Sequence, residues 1–285
     1  MLLAATKEAL NYDENCFMIY LGPPQSSLRK EPGRLKIKEA KELLINNGIT
    51  IDDIIVHAPY IINLAQSDAV KRNFAIDFLV REIKTMDIIG NKYLVVHPGS
   101  HMGLGIDLGI ELISESLSEI LTKTKDSEVV IAIETMAGKG NECCYRFEHI
   151  KRIMEKINNS RIKVCLDTCH IHDAGYDIIN SYEEVLEEFD DLIGIKEIVV
   201  LHINDSLNIC GSRKDRHANI GKGKIGFETL YKFVSDQRFM NIPKILETPY
   251  IKIGDKEYPP YKYEIEMLKK GYFNENIDKE IGKGD

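Results

Sequence analysis

Val164-Cys165-Leu166-Asp167-Thr168-Cys169-His170 runs from buried apolar residues into a carboxylate and an imidazole. Its apolar half predicts a short interior strand, and Asp167 and His170 stand where that strand ends. Five other apolar runs end in the same way on a histidine or a glutamate. They are Ile54-Ile55-Val56 before His57, Leu94-Val95-Val96 before His97, Ile131-Ala132-Ile133 before Glu134, Val199-Val200-Leu201 before His202, and Ile245-Leu246 before Glu247. Residue types that bind metals therefore stand at the ends of six predicted strands, which indicates function more strongly than any single motif.

The spacing of these strand ends predicts the fold. Successive strand-end residues, from His57 to Glu247, lie 40, 37, 33, 35 and 45 residues apart, about the length of one βα repeat. Residues with helical periodicity lie between the strands, and such alternation favours a parallel sheet. Only a closed sheet brings all the strand ends around one mouth. We therefore predict an α/β protein with a (β/α)₈ TIM barrel, although only seven strands are clear and the first strand is missing from this chain.

Length and composition bound the remaining possibilities. A chain of 285 residues fits one barrel, so we expect a single TIM-barrel domain over residues 1–270 and a loose polar C-terminal tail over 271–285. The chain has no apolar run of the roughly 18 residues that a membrane span needs and no ordered signal-peptide regions. We expect a soluble, cytoplasmic monomer that does not associate with membranes.

Cysteines and charge argue against two further classes of site. None of the six cysteines forms a C-x-x-C pair, so a thiolate zinc cage is not expected and most of them are interpreted as buried free thiols. The net charge of −8 argues against a basic nucleic-acid module, but bound cations would cancel part of it.

The candidate ligands combine five imidazoles and four carboxylates, a donor set that suits zinc and also manganese or iron. They are His57, His97, Glu134, Asp167, His170, His202, Asp215, His217 and Glu247. A single strand-end histidine is more often structural, but six such residues at matching positions favour a shared cause. A structural zinc needs four ligands, whereas nine suit two or three ions that share bridging carboxylates, as in phosphate chemistry. Of the other histidines, His149 is expected on a helix surface, and His101 and His172 are expected to orient ligands.

The sequence from about residue 1 to residue 270 resembles the endonuclease IV family of metal-dependent abasic-site endonucleases in base excision repair. The resemblance lies in these motifs: Phe17-Met18-Ile19-Tyr20, His57-Ala58-Pro59-Tyr60-Ile61-Ile62-Asn63-Leu64, His97-Pro98-Gly99-Ser100-His101, Glu134-Thr135-Met136-Ala137-Gly138, Asp167-Thr168-Cys169-His170, His202-Ile203-Asn204-Asp205-Ser206, Asp215-Arg216-His217 and Ile245-Leu246-Glu247-Thr248. Members of this family begin with a further strand upstream of the segment that matches here.

This resemblance implies a trinuclear zinc enzyme. His57, His97 and Glu134 would hold one Zn²⁺. Glu134, as a bridge, would hold a second with Asp167, His202 and Glu247, and His170, Asp215 and His217 would hold the third. Mn²⁺ or Fe²⁺ would be possible substitutes.

The resemblance also implies the substrate, double-stranded DNA with abasic sites or blocked 3′ ends. Cleavage 5′ to the abasic site would leave a 3′-hydroxyl and a 5′-deoxyribose phosphate, with Glu247 and Glu134 as catalytic residues. Tyr60 and the loop of Gln25 would enter the DNA.

Two other functions remain open on the residues alone. A sugar isomerase or epimerase on a similar barrel would use four ligands such as Glu134, Asp167, His202 and Glu247. The other five candidates have no role in such a site. A non-catalytic binder of damaged DNA is the third interpretation, and the complete ligand set argues against it.

Overall fold

A sheet of seven parallel strands forms the centre of the molecule in the computed structural model, which describes residues 2–281. The strands neighbour one another in chain order, and every ladder between them is parallel. They are β1 (Phe17–Ile19), β2 (Ile54–His57), β3 (Tyr93–Val96), β4 (Val130–Glu134), β5 (Ile162–Asp167), β6 (Ile198–His202) and, after two short strands described below, β9 (Lys244–Ile245). The predicted seven-stranded parallel sheet is confirmed.

Helices alternate with these strands along the chain. They are α1 (Leu2–Asn11), α2 (Ile37–Asn46), α3 (Ala69–Ile89), α4 (Ile106–Lys123), α5 (Phe147–Ile157), α6 (Thr168–Ala174), α7 (Tyr182–Leu192), α8 (Phe227–Ser235), α9 (Tyr261–Lys270) and α10 (Ile277–Glu280). A parallel strand can follow its neighbour only after a crossover, and a helix supplies it here. The alternation confirms the predicted TIM barrel, which the seven strands come close to closing.

Side chains on the two faces of the sheet build two separate cores. The inward face carries Ile55, Val95, Ala132, Cys165, Val200 and Ile245, which form a small cluster inside the barrel. The outward face, with residues such as Ile54 and Val56, belongs to a much larger cluster beneath the helices. Both faces are therefore buried, which explains why the strands appear in the sequence as continuous apolar runs.

The edges of the sheet, β1 and β9, face each other across a seam. Cys16 Sγ lies 3.5 Å from the backbone oxygen of Lys244. A cavity of about 560 Å³ opens along this seam, with α1 and α9 among its walls. Within residues 2–281, no ladder joins the two edge strands.

Two short hairpins lie outside the barrel sheet. β7 (Asp205–Ser206) pairs with β8 (His217–Ala218), and β10 (Ile251–Ile253) pairs with β11 (Lys256–Tyr258), both in antiparallel fashion. The first hairpin follows β6 directly and folds residues 205–218 back over the carboxyl ends of the strands. It therefore returns Asp215 and His217 toward the barrel mouth.

Two expectations from the sequence are wrong. His149 is only 9% exposed, because it lies on the face of α5 that packs inward rather than on the helix surface. Residues 271–281 are not a loose tail, since Ile277 and Ile281 are buried in the outer core; residues 282–285 lie outside the described part of the chain. The boundary at residue 270 stays a prediction.

No helix within residues 2–281 combines the length and the apolar character that crossing a bilayer would require.

Candidate metal centre

The period of two along a strand places the candidate ligands inside the barrel. Side chains alternate between the faces of a strand, so the residue two positions after an inward-facing residue also faces inward. Each of the six strand-end ligands stands in that relation to a member of the inner cluster, for example His57 to Ile55 and Glu247 to Ile245. All the strands are parallel, so these six side chains meet at one end of the barrel.

Glu134 is the hub of the cluster. It is fully buried at the end of β4. Its Oε2 lies 3.1 Å from His57 Nε2 and 3.0 Å from His97 Nε2. Its Oε1 lies 3.2 Å from His170 Nδ1 and 3.1 Å from His202 Nδ1. One carboxylate thus contacts four imidazoles from four different segments of the chain.

His202 connects the hub to two further carboxylates. Its Nδ1 lies 3.0 Å from Glu247 Oε2 and 3.7 Å from Asp167 Oδ2. Asn204 braces both acids, because its side-chain amide donates to Asp167 at 2.7 Å and to Glu247 at 3.4 Å. The side-chain oxygen Oδ1 of Asn204 also accepts a hydrogen bond from the backbone N–H of Glu247 at 2.8 Å. The two carboxylates are therefore held in fixed positions beside the buried imidazole.

His170 connects the hub to the hairpin. Asp167 caps α6 by accepting the backbone N–H of His170 at 2.8 Å, which turns the imidazole back toward the mouth. His170 Nε2 lies 3.2 Å from Asp215 Oδ1, and His217 Nε2 lies 3.5 Å from the same oxygen. The structure thus brings all nine predicted ligands into one continuous cluster of contacts.

The charges in the cluster favour a bound cation. Burial alone raises the pKa of Glu134, but His97, His202 and His170 outweigh burial and hold that pKa well below its usual range. Burial is likewise outweighed at Asp215, where His170 and His217 lower the pKa to about 2. Conversely, burial lowers the pKa of His170 and of His202. The surrounding carboxylates nevertheless raise the pKa of His170 well above its usual value, and Cys165, Glu247 and Glu134 do the same at His202. Glu134 and Asp215 are therefore ionised at neutral pH and draw positive charge into the pocket.

The donor geometry also fits metal ions. His57, His97 and Glu134 offer ligand atoms within 4.8 Å of one another, and so do Glu134, Asp167, His202 and Glu247. These two groups coincide with the first and second sets that the resemblance implies. The ligands of the third implied set fall into two groups that share His217. One group contains Asp167 and His170, and the other contains Asp215 and Cys169. Among residues 2–281 the buried His217 Nε2 has no hydrogen-bond partner, as suits an atom that binds a cation.

The two predicted DNA-contacting residues lie on loops. Tyr60 follows β2 and is 51% exposed. Gln25 is exposed on the loop after β1, and this loop is anchored by Arg29. The Arg29 guanidinium donates to the buried Glu82 at 2.8 Å and lies 4.6 Å from the centre of the Phe78 ring. Both predicted residues are thus free to meet a ligand, and the anchor holds the Gln25 loop against α3.

Some residues that support the site were not predicted from the sequence. Asn204, Asp173 and Glu264 are buried, and each hydrogen-bonds a segment that carries a ligand. Glu264, for example, accepts from Thr248, beside Glu247, and from the backbone N–H of Ile220 at 3.0 Å. Their partners are distant in sequence, so no local spacing indicates them. Asn204 lies within the motif His202-Ile203-Asn204-Asp205-Ser206, which marked the segment without indicating this supporting role.

Comparison with known proteins first defines the class. Residues 7–271 match a family model described as a xylose isomerase-like TIM barrel. A D-tagatose 3-epimerase-like protein has the same fold, with a TM-score of 0.69, 19% identity and coverage of 93% of this chain and 90% of that chain. At that identity the likeness concerns the fold alone.

Closer relatives define the family. "Probable endonuclease 4" of Lachnoclostridium phytofermentans is 46% identical over 97% of this chain and 93% of its own length. The protein of the same name from Bacillus subtilis is 48% identical over 99% of this chain and 94% of its own length. The crystal structure of endonuclease IV from Thermus thermophilus superposes with a TM-score of 0.80, 27% identity and coverage of 94% and 93% of the two chains.

The chain belongs to the endonuclease IV family. Membership confirms the predicted family and the enzyme class, an AP endonuclease of DNA repair.

Proposed function

We propose that the chain hydrolyses the phosphodiester 5′ to abasic sites in double-stranded DNA, leaving a 3′-hydroxyl and a 5′-deoxyribose phosphate, and that it trims blocked 3′ ends. The observation that carries this proposal is the convergence of nine imidazole and carboxylate side chains around the buried Glu134. A sugar-converting barrel with one four-ligand site has no use for the other five.

The proposed cofactor is a set of three zinc ions, for which manganese or iron are substitutes. His57, His97 and Glu134 would hold the first, Glu134, Asp167, His202 and Glu247 the second, and His170, Asp215 and His217 the third. When bound, such ions polarise the phosphoryl oxygens, lower the pKa of water and stabilise the leaving oxygen.

Glu247 is the residue best placed to move a proton. Its side chain is 20% exposed, whereas those of Glu134 and Asp167 are fully buried, so Glu247 alone among the three reaches the mouth of the barrel. Asn204 fixes its orientation through two hydrogen bonds. We assign to Glu247 Oε2 the task of orienting the attacking water and accepting its proton. Glu134 serves catalysis by holding four imidazoles at fixed distances around the pocket.

The lesion itself would supply specificity. An abasic nucleotide has no base to unstack, so turning its sugar into the barrel mouth costs little. Tyr60 would stack in the gap that remains, and the loop of Gln25 would enter the DNA from the other side. We also expect the protein to act as a monomer, because one chain contains all nine ligands.

The test is cleavage of a duplex with one abasic site, alongside the same duplex without the lesion. We expect a single cut 5′ to the lesion, loss of activity after dialysis against a strong chelator, recovery on adding Zn²⁺, and close to three ions per chain. Glu247→Gln serves as the inactive control. Fully metallated protein that leaves the abasic duplex intact would overturn the proposal, and one ion per chain together with epimerisation of a ketose would favour the sugar epimerase.

A further inference from the structure

Asp173, at the carboxyl end of α6, serves the hairpin that carries two of the proposed ligands. Its carboxylate is fully buried. It accepts hydrogen bonds from the Ser206 hydroxyl at 2.7 Å, the Asn208 side-chain amide at 3.0 Å and the backbone N–H of Asp215 at 2.8 Å. All three donors lie within residues 205–218. A buried carboxylate outside the ligand set thus holds the segment from which Asp215 and His217 project.

The backbone of this segment needs to be held. Arg213 and Asp215 adopt φ values of +54° and +56°, in the left-handed region that residues other than glycine rarely occupy. Such a conformation persists only where its surroundings enforce it. The hydrogen bond from the Asp215 N–H to Asp173 acts directly on one of these two residues. Without it, the backbone would relax toward a negative φ and carry the Asp215 carboxylate away from His170.

Contacts to the backbone of α6 reinforce the three hydrogen bonds of the Asp173 carboxylate but do not replace them. The N–H of Gly211 donates to the carbonyl of His172 at 3.0 Å, and the N–H of Arg213 donates to the carbonyl of Asp173 at 2.9 Å. These bonds fix the middle of the segment. The β7–β8 ladder and a bond from the Leu207 N–H to the Arg216 carbonyl at 2.9 Å join its two ends to each other. The Asp173 carboxylate ties both ends to α6, because it binds Ser206 and Asn208 on one side and Asp215 on the other.

We propose that Asp173 is a positioning residue for the third proposed metal site, because it holds Asp215 in its left-handed conformation and so fixes the geometry of His170, Asp215 and His217. The inference rests on the proposed function for the identity of the bound ion. Its structural half, the ordering of residues 205–218, is independent of any metal and can be tested without one.

Two substitutions separate hydrogen bonding from charge. Asp173→Ala removes all three bonds and leaves three donors without this acceptor, of which the Ser206 hydroxyl is in a buried residue. Asp173→Asn preserves them in number, because the amide oxygen can accept from Asn208 and Asp215 while the amide N–H₂ donates to the Ser206 oxygen. Glu82→Ala is the matched control. It also removes a buried carboxylate, but one that contacts the Gln25 loop rather than residues 205–218.

The first measurement is amide hydrogen exchange of the metal-free proteins. We expect at least a tenfold faster exchange of Asp215 and its neighbours in Asp173→Ala. In Asp173→Asn and Glu82→Ala these same amides should exchange at near wild-type rates, because they exchange by local opening of residues 205–218 and not by complete unfolding. The second is Zn²⁺ binding, in which Asp173→Ala should lose one ion per chain, or bind it about 10- to 100-fold more weakly, while both other variants keep it. Faster exchange in Asp173→Ala, together with a wild-type protein that binds no third ion, would support the hydrogen-bonding role of Asp173 and refute the metal assignment. Unchanged exchange and unchanged zinc affinity in Asp173→Ala would overturn the inference.

Discussion

Replacing His149 with phenylalanine is expected to make the protein more resistant to acid. His149 is 9% exposed on α5, its ring meets that of Tyr145 edge-on with 4.9 Å between centroids, and its Nδ1 has no hydrogen-bond partner within residues 2–281. Burial in this environment lowers the pKa of the imidazole from 6.5 to about 4. Phenylalanine keeps the ring and removes the titration.

The sign follows from where each state takes up a proton. The unfolded chain protonates this imidazole at about pH 6.5, whereas the folded chain does so only near pH 4, so acid favours unfolding. The stability that neutral His149 contributes is fully present above the pKa that this imidazole has in the unfolded chain. It is lost as the pH falls toward the pKa that the imidazole has in the folded protein. Between about pH 7.5 and about pH 5, the loss amounts to about 2 kcal/mol.

Urea unfolding of both proteins at these two pH values, with chelator present to exclude metal release, measures the effect. We subtract the free energy of unfolding of wild type from that of His149→Phe at each pH. This difference should be about 2 kcal/mol larger, in favour of the variant, at the lower pH than at the higher. The other groups titrate alike in the two proteins, so their contributions cancel in this difference. A difference that is equal at both pH values would show that the imidazole is not kept neutral by burial, and the reasoning would fail.

Three further predictions concern the site and its loops. Glu247→Gln keeps the shape of the side chain but cannot accept a proton, so kcat on an abasic duplex should fall by about 10²- to 10⁴-fold with little change in KM, measured on protein that holds as much zinc as wild type because Glu247 is also a proposed ligand; a kcat within threefold of wild type would contradict the assignment. Tyr60→Ala should weaken binding of the abasic duplex by about 1–3 kcal/mol, measured as Kd by fluorescence anisotropy, whereas binding of undamaged duplex should hardly change; equal losses on both would exclude stacking at the lesion. Glu82→Ala leaves the Arg29 guanidinium without its carboxylate and should lower the free energy of unfolding by about 3 kcal/mol while exposing residues 22–36 to proteolysis. The stability of Glu82→Gln should fall between those of wild type and Glu82→Ala. An unchanged cleavage pattern in Glu82→Ala would refute the anchoring of this loop by Arg29 and Glu82.

The barrel and most of the proposed site were predictable because their signals are local and repeated. His57, His97 and Glu134 each follow an apolar run whose alternation fixes the face on which they project, and a parallel sheet places all such residues at one end. The position of His170 is related to that of Asp167, because Asp167 caps the helix on which His170 lies three residues later. A single sequence carries this information because each inference spans only a few residues.

The remainder depends on contacts between distant segments. The hydrogen bonds of Asp173 to Ser206 and Asp215 span 33 and 42 residues, and nothing beside Asp173 in the sequence indicates them. The inward orientation of His149 was missed because it depends on which face of α5 meets the barrel. The packing of Ile277 and Ile281 was missed because two isolated apolar residues in a polar segment give no periodic pattern. Such features depend on tertiary packing, which overrides local preference.

The seam between β1 and β9 has a kinetic consequence. Cys16 and Lys244 are 228 residues apart, whereas each barrel ladder joins strands that are consecutive around the barrel. Closing so long a loop carries the largest entropy cost of any strand approach here, so the two edges should meet late in folding and separate early in unfolding. No ladder pairs these edges within residues 2–281 even in the folded protein, and before the edges meet their unpaired backbone groups are open to another molecule. Refolding yield should therefore fall steeply as protein concentration rises, even where the native state is stable.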